Sequence, residues 1–503
     1  MKLKLSKIAL AVAVLGTTPA AFALTPAQIA AGPTTYVWLS GASAPSNAVF
    51  RSVMALCKDA NSDGKPDDAH VYMQGTGKEP GKSSGDRVAY ACTMGANAGS
   101  LEDKKVVVYH TVENGSFNSY SPHLKMAGDT NPELLPSLQR VEDLKDLGAG
   151  GKCANGAAVF DLPAPLDTVG RYNNCSVVTK NFSSGNVGTP GQDYPDGGFS
   201  DTEYLINKQN LAINTDLSAI GTELATNIGQ AFGVAVSYPL YYRLQRNDIK
   251  AGYLSGSCDS GSASAPNLTL ACQPNLPAQR YTAIVGRDSI NGVTVNFFDN
   301  NTDTGMPNSK LHLVRRVPTS GTQSASNARF LGKPCATGVS QGAQDPARGL
   351  ISGTTPSSEG DNSTAVVKIT EWPSTGGVKT KLDAASQAGE FAVGVVSAEN
   401  TPAGAGANDR WAFVKLNRVS PNPDAQQRAE ALDGSYDFWY ELVAFTAAGV
   451  SSASPEGAEL IAAVTTTLGE TDLKGIFATP AAGASGPTSR GGRFGNSCQF
   501  QGE

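Results

Sequence analysis

The segment Arg316-Val317-Pro318-Thr319-Ser320-Gly321-Thr322 holds the residue types that grip a small anion. A guanidinium offers a planar fork of donors that fits a tetrahedral oxyanion. Ser320, Gly321 and Thr322 at the start of a helix add hydroxyls and free backbone N–H groups, and the helix dipole favours negative charge there. The same residues also read as an ordinary N-cap beside a surface ion pair. Gly41-Ala42-Ser43-Ala44-Pro45 is a second small-residue turn, whose backbone N–H groups can approach a ligand closely. Gly198-Phe199-Ser200-Asp201 ends in a carboxylate. Asp201 beside an anion would accept a hydrogen bond from a protonated ligand oxygen, which selects phosphate over fully ionised sulfate. Taken singly, it is a solvated turn residue.

A different chemistry is written at Asp59-Ala60-Asn61-Ser62-Asp63-Gly64-Lys65-Pro66-Asp67. Oxygen donors on alternate residues with Gly in sixth place follow a calcium loop, so Asp59, Asn61, Asp63, Lys65 and Asp67 are candidate ligands of a structural calcium. The twelfth position is His70 rather than a bidentate Glu, and the alternative is an Asp/Asn turn after a helix. Asp299, Asn301 and Asp303 are a weaker version. Signals for an enzyme are thin. His70, His110, His123 and His312 follow no metal spacing, and there is no GxSxG elbow, no P-loop and no GxGxxG after a strand. No cofactor is required by any motif.

The elements that must position these residues are strand–turn–helix units. Tyr36 to Leu39 reads as a buried strand feeding the turn at 41–45, and Asn47 to Lys58 has helical spacing. Val71 to Met73 and Lys105 to His110 are further strands, the latter ending in the turn Glu113-Asn114-Gly115-Ser116. Gly233 to Val236, Leu311 to Arg316 and Phe391 to Val396 are strands of a second region, with helices from Pro239 to Gln245 and after Thr322. Trp411 to Leu416 and Tyr436 to Phe445 are expected to return to the first region. Such units build an open α/β sheet, which binds ligands beyond the carboxyl ends of its strands. Residues 144 to 200, 250 to 280 and 479 to 495 are rich in Gly, Ser, Asn or Pro and read as loops.

The chain opens with Lys2, Lys4 and Lys7, a short apolar run from Ile8 to Leu15, and an Ala21-Phe22-Ala23 cleavage pattern. This is a secretory signal over 1–23. The run is too short to span a bilayer, no later segment is long and apolar enough, and no lipobox cysteine follows. The product is expected in the periplasm or outside the cell, without membrane insertion. The formal net charge of −6 becomes more negative once the three signal lysines leave, which argues against nucleic-acid binding. The eight cysteines form no CxxC pair, and an even count in an exported chain favours disulfides. Sequence neighbours suggest Cys153–Cys175 and Cys258–Cys272. Cys57–Cys92 and Cys335–Cys498 follow by elimination.

In order and type, these segments resemble the periplasmic phosphate-binding proteins of ABC transporters and the related DING proteins. That family's G-A-T-F-P turn is similar to Gly41 through Pro45, its G-x-S-D strand end to Gly198 through Asp201, and its R-x-D-x-S-G-T segment to Arg316 through Thr322. Phe232 through Val236 resembles the strand leading into its second lobe, and Glu390 through Val395 its G-A-I-G-Y strand. The resemblance covers about half the chain. It implies an α/β, two-lobe, type 2 periplasmic-binding-protein-like fold, with a ligand cleft between lobes and disulfide-stapled loop insertions. It places ligand contacts on Ser43, Asp201, Arg316, Ser320, Gly321 and Thr322, with a further family serine corresponding to Ser116. The family's acidic residue between the arginine and Ser-Gly-Thr is Pro318 here.

The expected organisation is a signal over 1–23, a first lobe over 24–224 with an insertion over 144–200, a second lobe over 225–400, and a return to the first lobe with a tail over 401–503. The expected function is capture of phosphate or a similar small oxyanion, with an ABC permease or a secretion or surface partner downstream. The alternatives are a secreted surface or matrix protein that uses the fold as a scaffold, and a DING-like phosphatase.

Overall fold

In the computed structural model, the structure describes residues 24–75, 86–146, 153–155, 169–185, 188–285, 311–332, 367–400, 402, 409–421, 435–468 and 475–479. The signal segment 1–23, Asp299, Asn301, Asp303, Cys335 and Cys498 lie outside these residues.

The strands run β1 Thr34–Gly41, β2 His70–Met73, β3 Arg87–Thr93, β4 Lys105–Thr111, β5 Ser137–Val141, β6 Ala154–Asn155, β7 Gly170–Asn173, β8 Val177–Asn181, β9 Gly197–Ser200 and β10 Gly221–Ser237. They continue as β11 Asn275–Leu276, β12 Leu311–Arg316, β13 Val367–Trp372, β14 Phe391–Ser397, β15 Trp411–Phe413, β16 Lys415–Leu416, β17 Trp439–Ala447 and β18 Ile476–Ala478. The helices are α1 Pro26–Ala30, α2 Ser46–Leu56, α3 Ser121–Met126, α4 Tyr204–Leu211, α5 Tyr238–Lys250, α6 Ala278–Val285, α7 Gly321–Leu331, α8 Thr375–Gln387 and α9 Pro455–Thr467.

The protein is thus mixed α/β. Its principal sheet has the order β13-β12-β14-β10-β17-β9-β1-β4-β3-β2-β7-β6, with β15 and β18 also paired to β10. The strands β9, β1 and β4 are mutually parallel, as are β13, β12 and β14. The two groups are joined by β10 and β17, which run antiparallel to each other and to their outer neighbours. The apolar residues of β1, β2, β3 and β4 on one face meet α2 and α9 in one core, with Val37, Phe50, Val53, Tyr90, Val108 and Ile461 buried. A second core gathers Phe232, Val234, Tyr241, Leu313, Phe330 and Val393.

The strand β10 is the element on which the site depends. It is 17 residues long, and its pairing with β17 shifts between Ala225 and Gly229, around the positive-φ residue Asn227. Such a bulge bends a strand and leaves its residues off the ladder. On one side of the bulge, β17 carries β9, so that Ser200 lies opposite Val443 and Val443 opposite Ala225. On the other side, Phe232 pairs with Ser397 of β14, which in turn carries β12. Following these registers, the carboxyl ends of β9 on one side and of β12 and β14 on the other face each other across the bulge.

Three expectations need correction. Residues 144–200 are not simply a loop insertion: β7 and β6 extend the principal sheet, β8 pairs with β5, and β9 sits near the sheet centre between β1 and β17. Trp411 to Leu416 does not join the first core. Trp411 and Phe413 pack with Val314, Val378 and Ala392, and β15 pairs with Ala235 to Ser237. The expected boundary at 224/225 also falls inside β10 rather than in a linker.

Disulfides join Cys153 to Cys175 and Cys258 to Cys272, as their proximity in sequence suggested, and Cys57 to Cys92, as expected by elimination. Three such bonds fit a chain that folds in an oxidising compartment. Among the described residues, no helix is long and apolar enough to cross a membrane.

Candidate functional site

The three segments with anion-binding residue types, 41–45, 198–201 and 316–322, each lie at the carboxyl end of a strand, β1, β9 and β12. Gly41 closes β1, takes φ +129 and lies against the Phe199 carbonyl, and the Ala42 N–H donates to that carbonyl at 2.8 Å. This close backbone approach holds the 41–45 turn beside the end of β9. Ser43 is half-buried there, its carbonyl accepting from the Ser46 hydroxyl at 2.6 Å. After β4, Asn114 and Gly115 take positive φ and reverse the chain, which delivers Ser116 into the interior. Asp201 follows β9 directly and is buried.

From the other side, β12 ends at Arg316, and the turn Val317–Ser320 leads into α7. Ser320 occupies the N-cap with no side-chain capping bond, so the first-turn N–H groups are left for other partners. One partner is visible: the Gly321 N–H donates to Ser116 Oγ at 3.2 Å. A side chain at 321 has no room, because its Cβ would lie 2.8 Å from the Asp201 Cβ and 2.9 Å from the Ser116 Cβ. Ser116, Asp201 and Gly321 are therefore in one cluster, with Ser320 and Thr322 buried beside them.

Four further bonds stitch the two sides. Phe117 N–H donates to the Thr319 carbonyl at 3.1 Å, and Thr319 Oγ1 to the Asn114 carbonyl at 2.9 Å. Between α7 and α4, Ser324 donates to Asn207 at 3.1 Å and Asn327 to Asn210 at 2.9 Å.

Arg316 is buried, and its position is set by Thr375 and Pro373 at the start of α8. Nη1 donates to Thr375 Oγ1 at 2.8 Å and Nη2 to the Pro373 carbonyl at 2.9 Å. Its Nε and the Oδ1 of Asp201 are both buried and have no hydrogen-bond partner among the described residues. Burial pushes the Arg316 pKa down to about 10, so it stays cationic at neutral pH, with Asp201, Asp86 and Glu399 opposing the shift. Burial pushes Asp201 up to about 6, against the pull of the Ser116 hydroxyl and of Arg316. The site therefore holds a fixed cation, a helix N-terminus, a hydroxyl and a carboxyl that titrates near neutrality. That set can bind an oxyanion and accept a hydrogen bond from a proton it carries.

Sequence reasoning missed Asp86, Glu399 and Thr375. Asp86 precedes β3 and Glu399 follows β14, so both lie just outside a strand, and this is the only local signal they give. Burial raises the pKa of both, that of Glu399 to about 7. The four histidines do not join the cluster: His110 and His123 are buried with their pKa pushed down to about 3, His70 is buried with its pKa pushed down to about 4, and His312 pairs with Glu390 at 2.6 Å.

The acidic loop at 59–67 lies on the surface and is bonded to itself. Asp59 accepts from the N–H groups of Asp63 at 3.2 Å and Gly64 at 2.7 Å, Asn61 from Asp63 N–H at 3.0 Å, Asp63 from Lys65 N–H at 2.9 Å, and Asp67 from Ala60 N–H at 3.0 Å. This is the geometry of successive Asx turns, in which the side-chain oxygens accept from backbone N–H groups. Among the described residues, no group of three or more His, Cys, Asp or Glu is arranged to hold a metal.

No family model, curated protein or solved structure matches this chain.

Proposed function

We propose that the protein is an exported solute-binding protein that captures phosphate or a similar small oxyanion between two lobes. The observation that carries this reading is a pair of buried polar atoms, Arg316 Nε and Asp201 Oδ1, with no partner among the described residues, beside a helix N-terminus that already engages Ser116. A buried polar atom left without a partner costs about 1–3 kcal/mol. A protonated oxyanion offers an acceptor to the first and a donor to the second. In this reading β10 and β17 are the crossings between lobes, the bulge at 225–229 is where they flex, and the bonds from 114–119 to 317–321 belong to the closed form. Ser43, Ser320 and Thr322 complete the ring of donors. The resemblance to phosphate-binding proteins of ABC transporters supports the same ligand, and an ABC permease or a secretion or surface partner would receive the loaded protein. The signal segment and three disulfides support a periplasmic or extracellular setting.

The test is calorimetric titration of phosphate, arsenate and sulfate into the wild type and Arg316→Ala. Phosphate and arsenate should bind and sulfate much less. Loss of a charged, buried hydrogen-bonding partner should weaken binding by about 10- to 100-fold. No heat with any anion would defeat the proposal. It would leave a secreted scaffold as the better reading, which the commitment of Arg316 Nη1 and Nη2 to Thr375 and Pro373 favours.

A further inference from the structure

Arg316 ends β12, beside β14, and carries its charge among several carboxyl groups. Three carboxyl groups act on its charge: Asp201 after β9, Asp86 before β3, and Glu399 after β14. Glu399 belongs to none of the segments that the resemblance assigns to ligand. Its side chain is nonetheless held in place. Ser397 Oγ donates to Oε1 at 2.7 Å, Asn400 Nδ2 to the same oxygen at 2.8 Å, and Gln230 Nε2 to Oε2 at 3.1 Å. Gln230 is fully buried on β10 and is itself anchored to the carbonyls of Ala231 and Gly475, at 2.9 and 3.1 Å. Three donors fixed on a half-buried carboxylate are an arrangement that keeps its charge in one place.

The charged groups acting on Glu399 are Asp201 from the β9 side and Lys379 from α8. Lys379 reaches the neighbouring Asn400 at 3.1 Å. From β10 comes only the neutral Gln230. Asp201 raises the pKa of Glu399 and Lys379 lowers it, while burial, the largest influence, raises it. An anion brought to Arg316 would add a further negative charge to Asp201 and Glu399. Like charges held close disfavour ionisation, so a proton must enter with the anion or the anion is repelled.

We propose that anion capture at this site is proton-linked, and that Glu399, a tuning residue acting through the field on Arg316 and Asp201, sets the affinity above neutral pH. The balance is simple: site, anion and one proton from solvent combine, and all three separate on release. The inference rests on the oxyanion reading above. It adds the expectation that a rise in pH unloads the protein.

The experiment titrates inorganic phosphate into the full mature chain, wild type and Glu399→Gln, at pH 5.5, 7.0 and 8.5. One linked proton changes an affinity by at most about tenfold per pH unit. The two proteins should bind nearly equally at pH 5.5, where Glu399 is protonated and Gln imitates it. At pH 8.5 Glu399→Gln should bind at least about fivefold more tightly, because one opposing charge is gone. Titrations in two buffers of different ionisation enthalpy count the protons taken up. At pH 7.0 the wild type should take up more per phosphate than Glu399→Gln, and this difference cancels the titration of phosphate itself. Parallel affinity–pH curves, or equal proton uptake, overturn the inference and leave oxyanion capture standing. Absence of phosphate binding by both proteins at every pH overturns both. Should Glu399→Gln fail to fold, Gln230→Glu adds a carboxyl group beside the same carboxylate. It should steepen the loss of affinity with pH, and an unchanged slope overturns the inference.

Discussion

Asp201→Asn isolates one carboxyl group whose energetic sign can be worked out in advance. In the folded protein the Asp201 pKa stands at about 6, raised by burial, against 3.8 for the exposed group. Because the folded pKa is the higher one, the folded state binds the proton more tightly. Asp201 is therefore harmless at low pH, where both states are protonated, and it destabilises the fold as pH rises through the interval between the two values. Linkage gives a loss that reaches about half its full size by pH 5 and about 3 kcal/mol by pH 7, with little further change above that. Asp196 and Glu399 are also raised, to about 6 and about 7, so the raw pH dependence of the wild type is a composite. The difference between the wild type and Asp201→Asn removes their share, since Asn is nearly isosteric and does not titrate. Urea unfolding without ligand, at pH 4, 5 and 7, should show Asp201→Asn gaining about 2 kcal/mol on the wild type between the first and last. A difference that stays constant over that range would refute the claim that Asp201 sits desolvated in the interior, and with it the basis for the role proposed for it beside a protonated ligand.

Three other substitutions probe the site and its frame. Gly321→Ala drives a methyl group into Ser116 and Asp201, so phosphate affinity measured by calorimetry should fall by more than tenfold while far-UV circular dichroism is unchanged. Thr375→Val removes the acceptor of Arg316 Nη1 at nearly constant volume, and leaving that charged donor unpaired should lower stability by about 1–3 kcal/mol in urea unfolding. Replacing Cys258 and Cys272 by Ala opens a loop with a sequence separation of 14 and should cost about 3 kcal/mol without changing phosphate affinity, since the loop packs near α5 rather than near Ser116.

The legible parts of the molecule are those in which the relevant physics is local. Strands Thr34–Gly41, Lys105–Thr111, Leu311–Arg316 and Phe391–Ser397 were readable because their apolar runs are bounded by small-residue turns, and those turns are what carry Ser43, Ser116 and Ser320. The strand β9 was misread as part of a loop for a reason visible in its packing. Pro195-Asp196-Gly197-Gly198 has turn composition, yet a Cβ on Gly198 would lie 2.7 Å from the Ser40 carbonyl carbon. These glycines serve a close approach between strands rather than a reversal of the chain. Trp411 to Phe413 could have paired on either side of a strand as long as β10, and only its partners Ala235 to Ser237 decide the matter. Asp86 and Glu399 were invisible because their relevance comes from register: they act on Arg316 only once a bulged strand has aligned ends that are far apart in sequence.

That non-local contribution also accounts for the one departure from the anion-binding pattern. In the resemblance, an acidic residue between the arginine and Ser-Gly-Thr would be its local counter-charge, and Pro318 cannot provide one. Here the guanidinium is oriented by neutral acceptors, Thr375 Oγ1 and the Pro373 carbonyl, while the balancing charge comes from Asp201, Asp86 and Glu399 on three other strand ends. Splitting orientation from charge balance has a consequence. A neutral acceptor holds the arginine at every pH, whereas carboxyl groups lifted towards neutrality lose their charge as the solution acidifies. The arginine then stays in place while its competitors for positive charge fall silent, which is the condition under which an anion on an acidic protein would be held most tightly.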